Sequence, residues 1–236
     1  MVEMATIVYV LCPSEDTLAA ATRRYASKPW ARPILLPQDQ PYLESYMYTH
    51  HLMTRHAEWK DAAWVGCIAH SAHLKQPLVE RIDVVCERAR AEESDFIALL
   101  YRGDPLISTA EKWHPGFTRA WLALWESIGW TNKTITTSDE IPSFYCNYWL
   151  TTPRIMEEYC TLMRYVDQRI RESPQLREVV SIDSGYHHRG TEIAKIPDDR
   201  RMALFGVSWY PMYIFMMERM ICPFSVVYAK KMCLVR

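Results

Sequence analysis

Residues 64–75, WVGCIAHSAHLK, carry a buried-strand pattern straight into two histidines, a serine and a lysine. Such groups donate hydrogen bonds, move protons near neutral pH and meet anionic oxygens. In open α/β sheets ligands sit outside the carboxyl ends of strands. That rule selects Cys12, Pro13 and Ser14 after the apolar run 5–12, Gln38 and Asp39 after 31–38, and His70 through Lys75 after 62–70. Other groups stand out by their surroundings. Glu44 opens a helical stretch, where the helix dipole favours its charge. Asp104 sits in a Gly-Asp-Pro turn after the run 96–101, and His114 precedes a helix start. Asn147 interrupts the aromatic run FYCNYWL, and Glu218 with Arg219 interrupts an apolar helix. A polar group in such company must be hydrogen-bonded, paired or aimed into a cavity.

Several chemistries lack their motif. No G-x-G-x-x-G, no G-x-x-x-x-G-K-[ST] and no G-x-S-x-G occurs, which removes the dinucleotide fingerprint, the P-loop and the nucleophile elbow. Cys67, His70 and His73 have ligand-like spacing, but positions three apart on an extended chain face opposite sides, so no metal site is expected there. The pairs His50-His51 and His187-His188 are adjacent in sequence, a poor arrangement for chelating one ion.

The elements that must position these residues follow from periodicity. ATIVYVLC, ARPILLPQ, 62–70, 96–101 and 143–150 read as strands; between them 15–24, 43–56, 78–89, 117–128 and 153–170 read as helices. Ser14 is an N-cap candidate, and Thr152-Pro153 marks a helix start. Strands alternating with helices at this spacing predict βαβ units and a mostly parallel central sheet with helices on both faces. The polar segment 173–201 is predicted as a loop excursion near the site. With no repeat and no Gly/Ser linker, the 236 residues read as one domain, a length that also suits one piece of a longer polypeptide.

The 27 basic and 28 acidic residues nearly cancel, which disfavours nucleic acid as a partner. Seven cysteines without a C-x-x-C pair read as reduced thiols and a cytoplasmic setting. The apolar stretch 210–228 contains Glu218, Arg219, Pro211 and Pro223, so no membrane span is expected.

Three ordered stretches carry a family likeness: QPYLESYMYTHHL followed by EWKDAAWVGCIAHSAHLK, then SFYCNYWLTTPRIMEEYCTLM, then YPMYIFMMERMICPF. Together they resemble the capsular-polysaccharide glycosyltransferases of bacteria and the related glycosyltransferase domains of large algal viruses, the chloroviruses. The resemblance implies a single-domain GT-A-like α/β fold. It also implies transfer of rhamnose, xylose, galactose or fucose from a UDP- or GDP-sugar, UDP favoured, to a hydroxyl of an oligosaccharide acceptor in viral or surface glycan synthesis. The bacterial relatives continue with basic residues just after the histidine; here Ser71-Ala72-His73-Leu74 intervene before Lys75.

Enzymes of this kind often hold the diphosphate through a D-x-D carboxylate pair and a divalent ion. No D-x-D occurs in this chain, so a metal-independent, inverting transfer is expected, with cations meeting the leaving diphosphate. On this reading Asp104 and Glu218 are the catalytic candidates. Cys12, Pro13, Ser14, Gln38, Asp39, Glu44, His70, Lys75 and Arg219 face the donor, assisted by arginines of 189–201, and His114 and Asn147 face the sugar or acceptor. Two other classes stay open: a protein-interaction domain built on the surplus of Trp and Tyr, and a metal-dependent hydrolase using His and Asp.

Overall fold

In a computed structural model the described residues are 5–37, 39–40, 43–130, 140–144, 146–186 and 196–235, with the side chains of Leu78 and Arg102 set aside. Strands β1 (Thr6–Cys12) and β3 (Trp64–Ala69) form where mainly apolar, buried residues run together, and β2 (Ala31–Leu35) is a short, more exposed edge strand. β1 and β2 flank α1 (Glu15–Arg24). Ser14 caps that helix as expected, its Oγ accepting from the Thr17 amide at 3.3 Å while its own amide donates to Thr17 Oγ1 at 3.0 Å.

β4 (Phe96–Ala98) follows α4 (Ile82–Ala91), which comes after the short helices α2 (His56–Trp59) and α3 (Ala72–Lys75). Then come β5 (Tyr101–Pro105), α5 (Leu106–Trp113), α6 (Phe117–Ser127), β6 (Pro142–Phe144) and β7 (Trp149–Thr151). The chain ends with α7 (Pro153–Glu172), α8 (Pro174–Val180), α9 (Asp198–Phe205), α10 (Met212–Arg219), α11 (Ile221–Tyr228) and β8 (Met232–Leu234).

The central sheet has six strands in the order β2-β1-β3-β7-β4-β8. β7 is antiparallel to both its neighbours, and the other pairings are parallel. The α/β class and the mostly parallel sheet are therefore as the sequence predicts. Strand alternation divides the core in two. Tyr9, Leu11, Val65, Cys67, Phe96 and Trp149 pack on one face, and Val8, Val10, Ile68, Ile97, Tyr148 and Leu150 on the other. Strands covered on both sides must be apolar on both, which is why these runs do not alternate with polar residues.

Gly66 is required by the insertion of β7, since a Cβ there would stand 2.3 Å from the Trp149 carbonyl oxygen. Trp149 itself stacks on Tyr48 and on Phe96, with ring centroids 4.9 and 5.6 Å away.

Three expectations need correction. The stretch 43–56 is not one helix: it runs as a 3₁₀ turn (Leu43–Ser45), a π turn (Met47–His51) and a second 3₁₀ turn (Leu52–Arg55) before α2. The π turn buries Met47, Tyr48 and Thr49 consecutively, so this stretch is enclosed on more than one side and is not an amphipathic helix with a single apolar stripe. Nor is 143–150 one strand. Cys146 and Asn147 adopt left-handed φ of 62° and 54° and break it, so β6 pairs with β5 in a separate ribbon while β7 enters the main sheet. Finally, 173–201 is not wholly a loop. Ser173 Oγ accepts from the Leu176 amide at 3.2 Å and starts α8, whose Leu176 and Val180 are buried.

Candidate functional site

The broken strand and the end of α10 meet in one cluster. The left-handed turn aims the Cys146 amide at Glu218, which accepts it on Oε1 at 2.6 Å. Lys75, the last residue of α3, donates from Nζ to Cys146 Sγ at 3.3 Å and sits 5.7 Å from the centroid of the Tyr148 ring. Glu44, in the 3₁₀ turn that precedes the π turn, completes the group as an electrostatic neighbour of both Glu218 and Lys75. The 3₁₀ turn Leu43–Ser45, the end of α3 and the end of α10 thus deliver three charged side chains to the rim where the parallel strands finish.

The charges act on one another strongly. Burial, with repulsion from Glu218 behind it and Lys75 opposing, pushes the Glu44 carboxyl from 4.5 to about 7. For Lys75, burial works against the charge, but Cys146, Glu44 and Glu218 outweigh it and the amine is raised. The Cys146 thiol is pushed up to about 11, chiefly by burial and then by Glu218, so it stays neutral near pH 7 and is a poor nucleophile. Glu218 lies in the last turn of α10, where the helix dipole disfavours an anion. Helix stability does not account for its presence there; the Cys146 amide does. Two consecutive non-glycine residues with positive φ in this cluster are a store of backbone strain of the kind that collects at functional sites.

Two buried polar atoms beside the cluster have no hydrogen-bond partner among the described residues: Asn147 Oδ1 and the Tyr148 hydroxyl. Asn147 is 5 % exposed, so its amide oxygen is an acceptor held ready at a nearly closed position. Tyr186 borders the same charges: its phenol, raised mainly by burial, also feels Lys75, Glu218 and Cys146. Its ring centroid lies 5.1 Å from Phe215 and 6.4 Å from His114.

Of the residues singled out from sequence, the fold brings Glu44, Lys75, Asn147 and Glu218 together. His70 closes β3, its amide donating to the Leu11 carbonyl at 3.0 Å, but its side chain lines a neighbouring cleft with His73. Cys67 packs in the opposite core, on the other face from His70 as strand geometry predicts, whereas His73 lies on α3 and joins His70 in the same cleft. Among the described residues no group of three or more His, Cys, Asp or Glu is arranged to hold a metal ion.

Other candidates serve elsewhere. Arg219 is buried, donates to the Phe215 carbonyl at 2.9 Å, lies 5.8 Å from the Phe117 ring centroid and stands 3.6 Å from Glu218. It is a core cation, not a clamp presented to a ligand. Arg201 is also buried, held by the Ser208 carbonyl and Asp198, each at 2.5 Å. His114 is 3 % exposed, stacked on Phe215 at 4.0 Å with Nδ1 3.1 Å from the Ser184 carbonyl; it backs Tyr186 rather than meeting solvent.

Asp104 falls on the β5–β6 ribbon, its backbone carbonyl accepting from Ser143 Oγ at 2.6 Å. Cys12 is buried with its thiol directed at the Val10 carbonyl at 3.4 Å, and the next residues, Pro13 and Ser14, lead into the cap of α1. Asp39 accepts from Gln40 Nε2 at 3.1 Å in an exposed turn. Gln38, Arg189, His187 and His188 lie outside the described residues.

Sequence reasoning missed Cys146, Tyr148 and Tyr186. The first two lie inside FYCNYWL, where Asn147 was the visible anomaly; a polar residue breaking an aromatic strand marks its neighbours as well. No family model matches the chain, and no curated protein or solved structure matches it either.

Proposed function

We propose that this chain is a nucleotide-sugar-dependent glycosyltransferase with a GT-A-like fold. It moves a sugar, rhamnose or else xylose, galactose or fucose, from a UDP- or GDP-sugar to a glycan hydroxyl with inversion. The reading rests on the sequence resemblance and on one structural observation: Glu44, Glu218 and Lys75 converge at the strand-end rim, with Glu44 pushed up to about 7. A carboxylate poised near the working pH is what general-base catalysis requires.

In this mechanism ionised Glu44 takes the proton of the acceptor hydroxyl. The freed oxygen lone pair forms the new bond to the anomeric carbon as the bond to the diphosphate oxygen breaks, and that electron pair leaves with the nucleoside diphosphate. Positive charge on the sugar ring at the transition state is favoured by the adjacent Glu218 carboxylate. Lys75 offsets the charge growing on the departing diphosphate, so EDTA leaves the rate unchanged. Asn147 Oδ1 accepts from a sugar hydroxyl. This assignment moves the base from the two sequence candidates, Asp104 on the ribbon and Glu218 in the cluster, to Glu44, which sequence reasoning had set beside the donor.

The test is a screen of donor hydrolysis and transfer with UDP-rhamnose, UDP-xylose, UDP-galactose and GDP-fucose. Turnover of one donor that is lost in Glu44→Gln supports the proposal. Turnover of none, or turnover that survives both Glu44→Gln and Lys75→Ala, overturns it.

A further inference from the structure

On the far side of α3 from the carboxylates lies a cleft of about 550 Å³ between α1, the end of β3 and the turn Pro77–Arg81. Its volume is in the range of small-molecule sites. Arg23, Arg24 and Lys28 bring three fixed cations to its wall, and Glu80 brings one carboxylate. Glu80 is already engaged by Arg24 at 2.8 Å, which leaves Arg23 and Lys28 as uncompensated charge on that wall. His70 and His73 close the inner end.

Arginines in the last turn of α1 complement the helix dipole, which by itself would account for Arg23 and Arg24. It does not account for what lies deeper. Tyr25 lines the cleft, is 3 % exposed, and its hydroxyl has no hydrogen-bond partner among the described residues. His73 Nδ1 is buried and unpartnered in the same way. A buried phenol left without a partner is costly, and a ligand that accepts hydrogen bonds removes that cost.

Apart from Glu80, the polar side chains that face this cleft are donors or, like histidine and tyrosine, able to donate. The complementary ligand is rich in acceptor oxygens and carries negative charge, and the apolar wall of Ala20 and Ala21 allows it an organic part.

We propose that this cleft binds a phosphate-bearing small molecule, with Arg23, Lys28, His73 and the Tyr25 hydroxyl as its donors. Of these four only His73 was among the residues singled out from the sequence, and the site does not depend on the sugar-transfer reading. The cleft is nonetheless next to the carboxylate cluster, because the Tyr148 phenol has Tyr25 on one side and Glu44, Cys146 and Glu218 on the other as electrostatic neighbours.

The experiment is calorimetric titration of the full chain with inorganic pyrophosphate and, separately, with UDP, at fixed ionic strength. Saturable one-to-one binding of pyrophosphate or UDP is expected. An Arg23→Ala/Lys28→Ala double variant, altered at surface positions, weakens it at least tenfold. Tyr25→Phe, which removes only the unpartnered oxygen, weakens it severalfold. UDP binding tighter than pyrophosphate assigns the ligand as a nucleotide; equal binding assigns the phosphates alone. Glu44→Gln leaves the affinity unchanged while abolishing transfer, which separates this site from the proposed chemistry. Absence of binding by both probes, or binding that the double variant and Tyr25→Phe leave intact, overturns the inference.

Discussion

The Cys146 amide and the Glu218 carboxylate, 72 positions apart in the chain, meet at 2.6 Å. Cys146 can present its N–H there because it and Asn147 both hold left-handed backbone, with φ of 62° and 54°. This contact ties the turn before β7 to the end of α10 and fixes one of the two carboxylates whose proximity raises the other.

Glu44→Gln lowers turnover by about 10²–10⁴-fold. In the unaltered protein the basic form of Glu44 grows as pH rises through about 7, so the activity profile rises through that value, and the variant's residual activity lacks this limb. Stability moves oppositely. A carboxyl raised from 4.5 to about 7 holds its proton more tightly folded than unfolded, so folding loses stability between those values as pH increases. Thermal melts of Glu44→Gln therefore exceed those of the parent at pH 8, by at most about 3 kcal/mol, and match them near pH 4. Equal melts at both pH values would refute the assignment.

Lys75→Met removes a positive charge that acts to lower Glu44. The activity limb shifts above 7, and turnover falls by about 10²–10³-fold, as for loss of a single charge-stabilising donor. Lys75→Arg recovers part of both effects, since charge returns but the reach to Cys146 Sγ differs. A pH series on the two variants reads the shift, and an unmoved limb in Lys75→Met speaks against coupling.

Asn147 combines a positive φ of 54° with an unpartnered buried oxygen. Asn147→Gly relieves the backbone, whereas Asn147→Ala keeps a Cβ in a left-handed position at a cost of about 1 kcal/mol relative to glycine. Chemical denaturation should place the glycine variant as the more stable of the two, the reverse of their usual order in regular structure. Both lose the acceptor oxygen, so both raise the KM for the sugar substrate by about 10-fold, the equivalent of one hydrogen bond.

Gly66→Ala sets a methyl 2.3 Å from the Trp149 carbonyl oxygen. Backbone cannot yield as a flexible side chain does, so β7 must move away from β3. Urea denaturation should report a loss of about 1–3 kcal/mol or more, and an unchanged midpoint would mean that β7 does not pack at that distance.

The strands and most helices were legible because their signals are local. The runs 5–12 and 62–70 are apolar on both alternate sets of residues, and the structure gives Thr6–Cys12 and Trp64–Ala69 with both faces buried. Ser14 and Pro153 announced helix starts by chemistry confined to a few residues. The failures have the opposite character. Composition marked FYCNYWL as a strand, but Cys146 and Asn147 turn the chain there in left-handed backbone, held by the long-range contact of the Cys146 amide with Glu218. Residues 43–56 have helical spacing, yet packing Tyr48 onto Trp149 at 4.9 Å required a π turn that no local preference specifies.

The candidate residues divide on the same line. Asn147 and Glu218 were conspicuous as polar groups in apolar company, Lys75 by following the end of a strand and Glu44 by opening a helical stretch, each a property of its own neighbourhood. That Arg219 turns inward to Phe117 and the Phe215 carbonyl, while Glu218 beside it faces Cys146, depends on which elements surround α10. By itself the sequence determined the α/β class, the positions of β1 to β4 and the roster of anomalous polar residues, because burial and periodicity are written in short stretches. Only the tertiary structure decided that three charges from three separate elements share one site, because their meeting depends on the antiparallel entry of β7 and on a turn held by long-range packing.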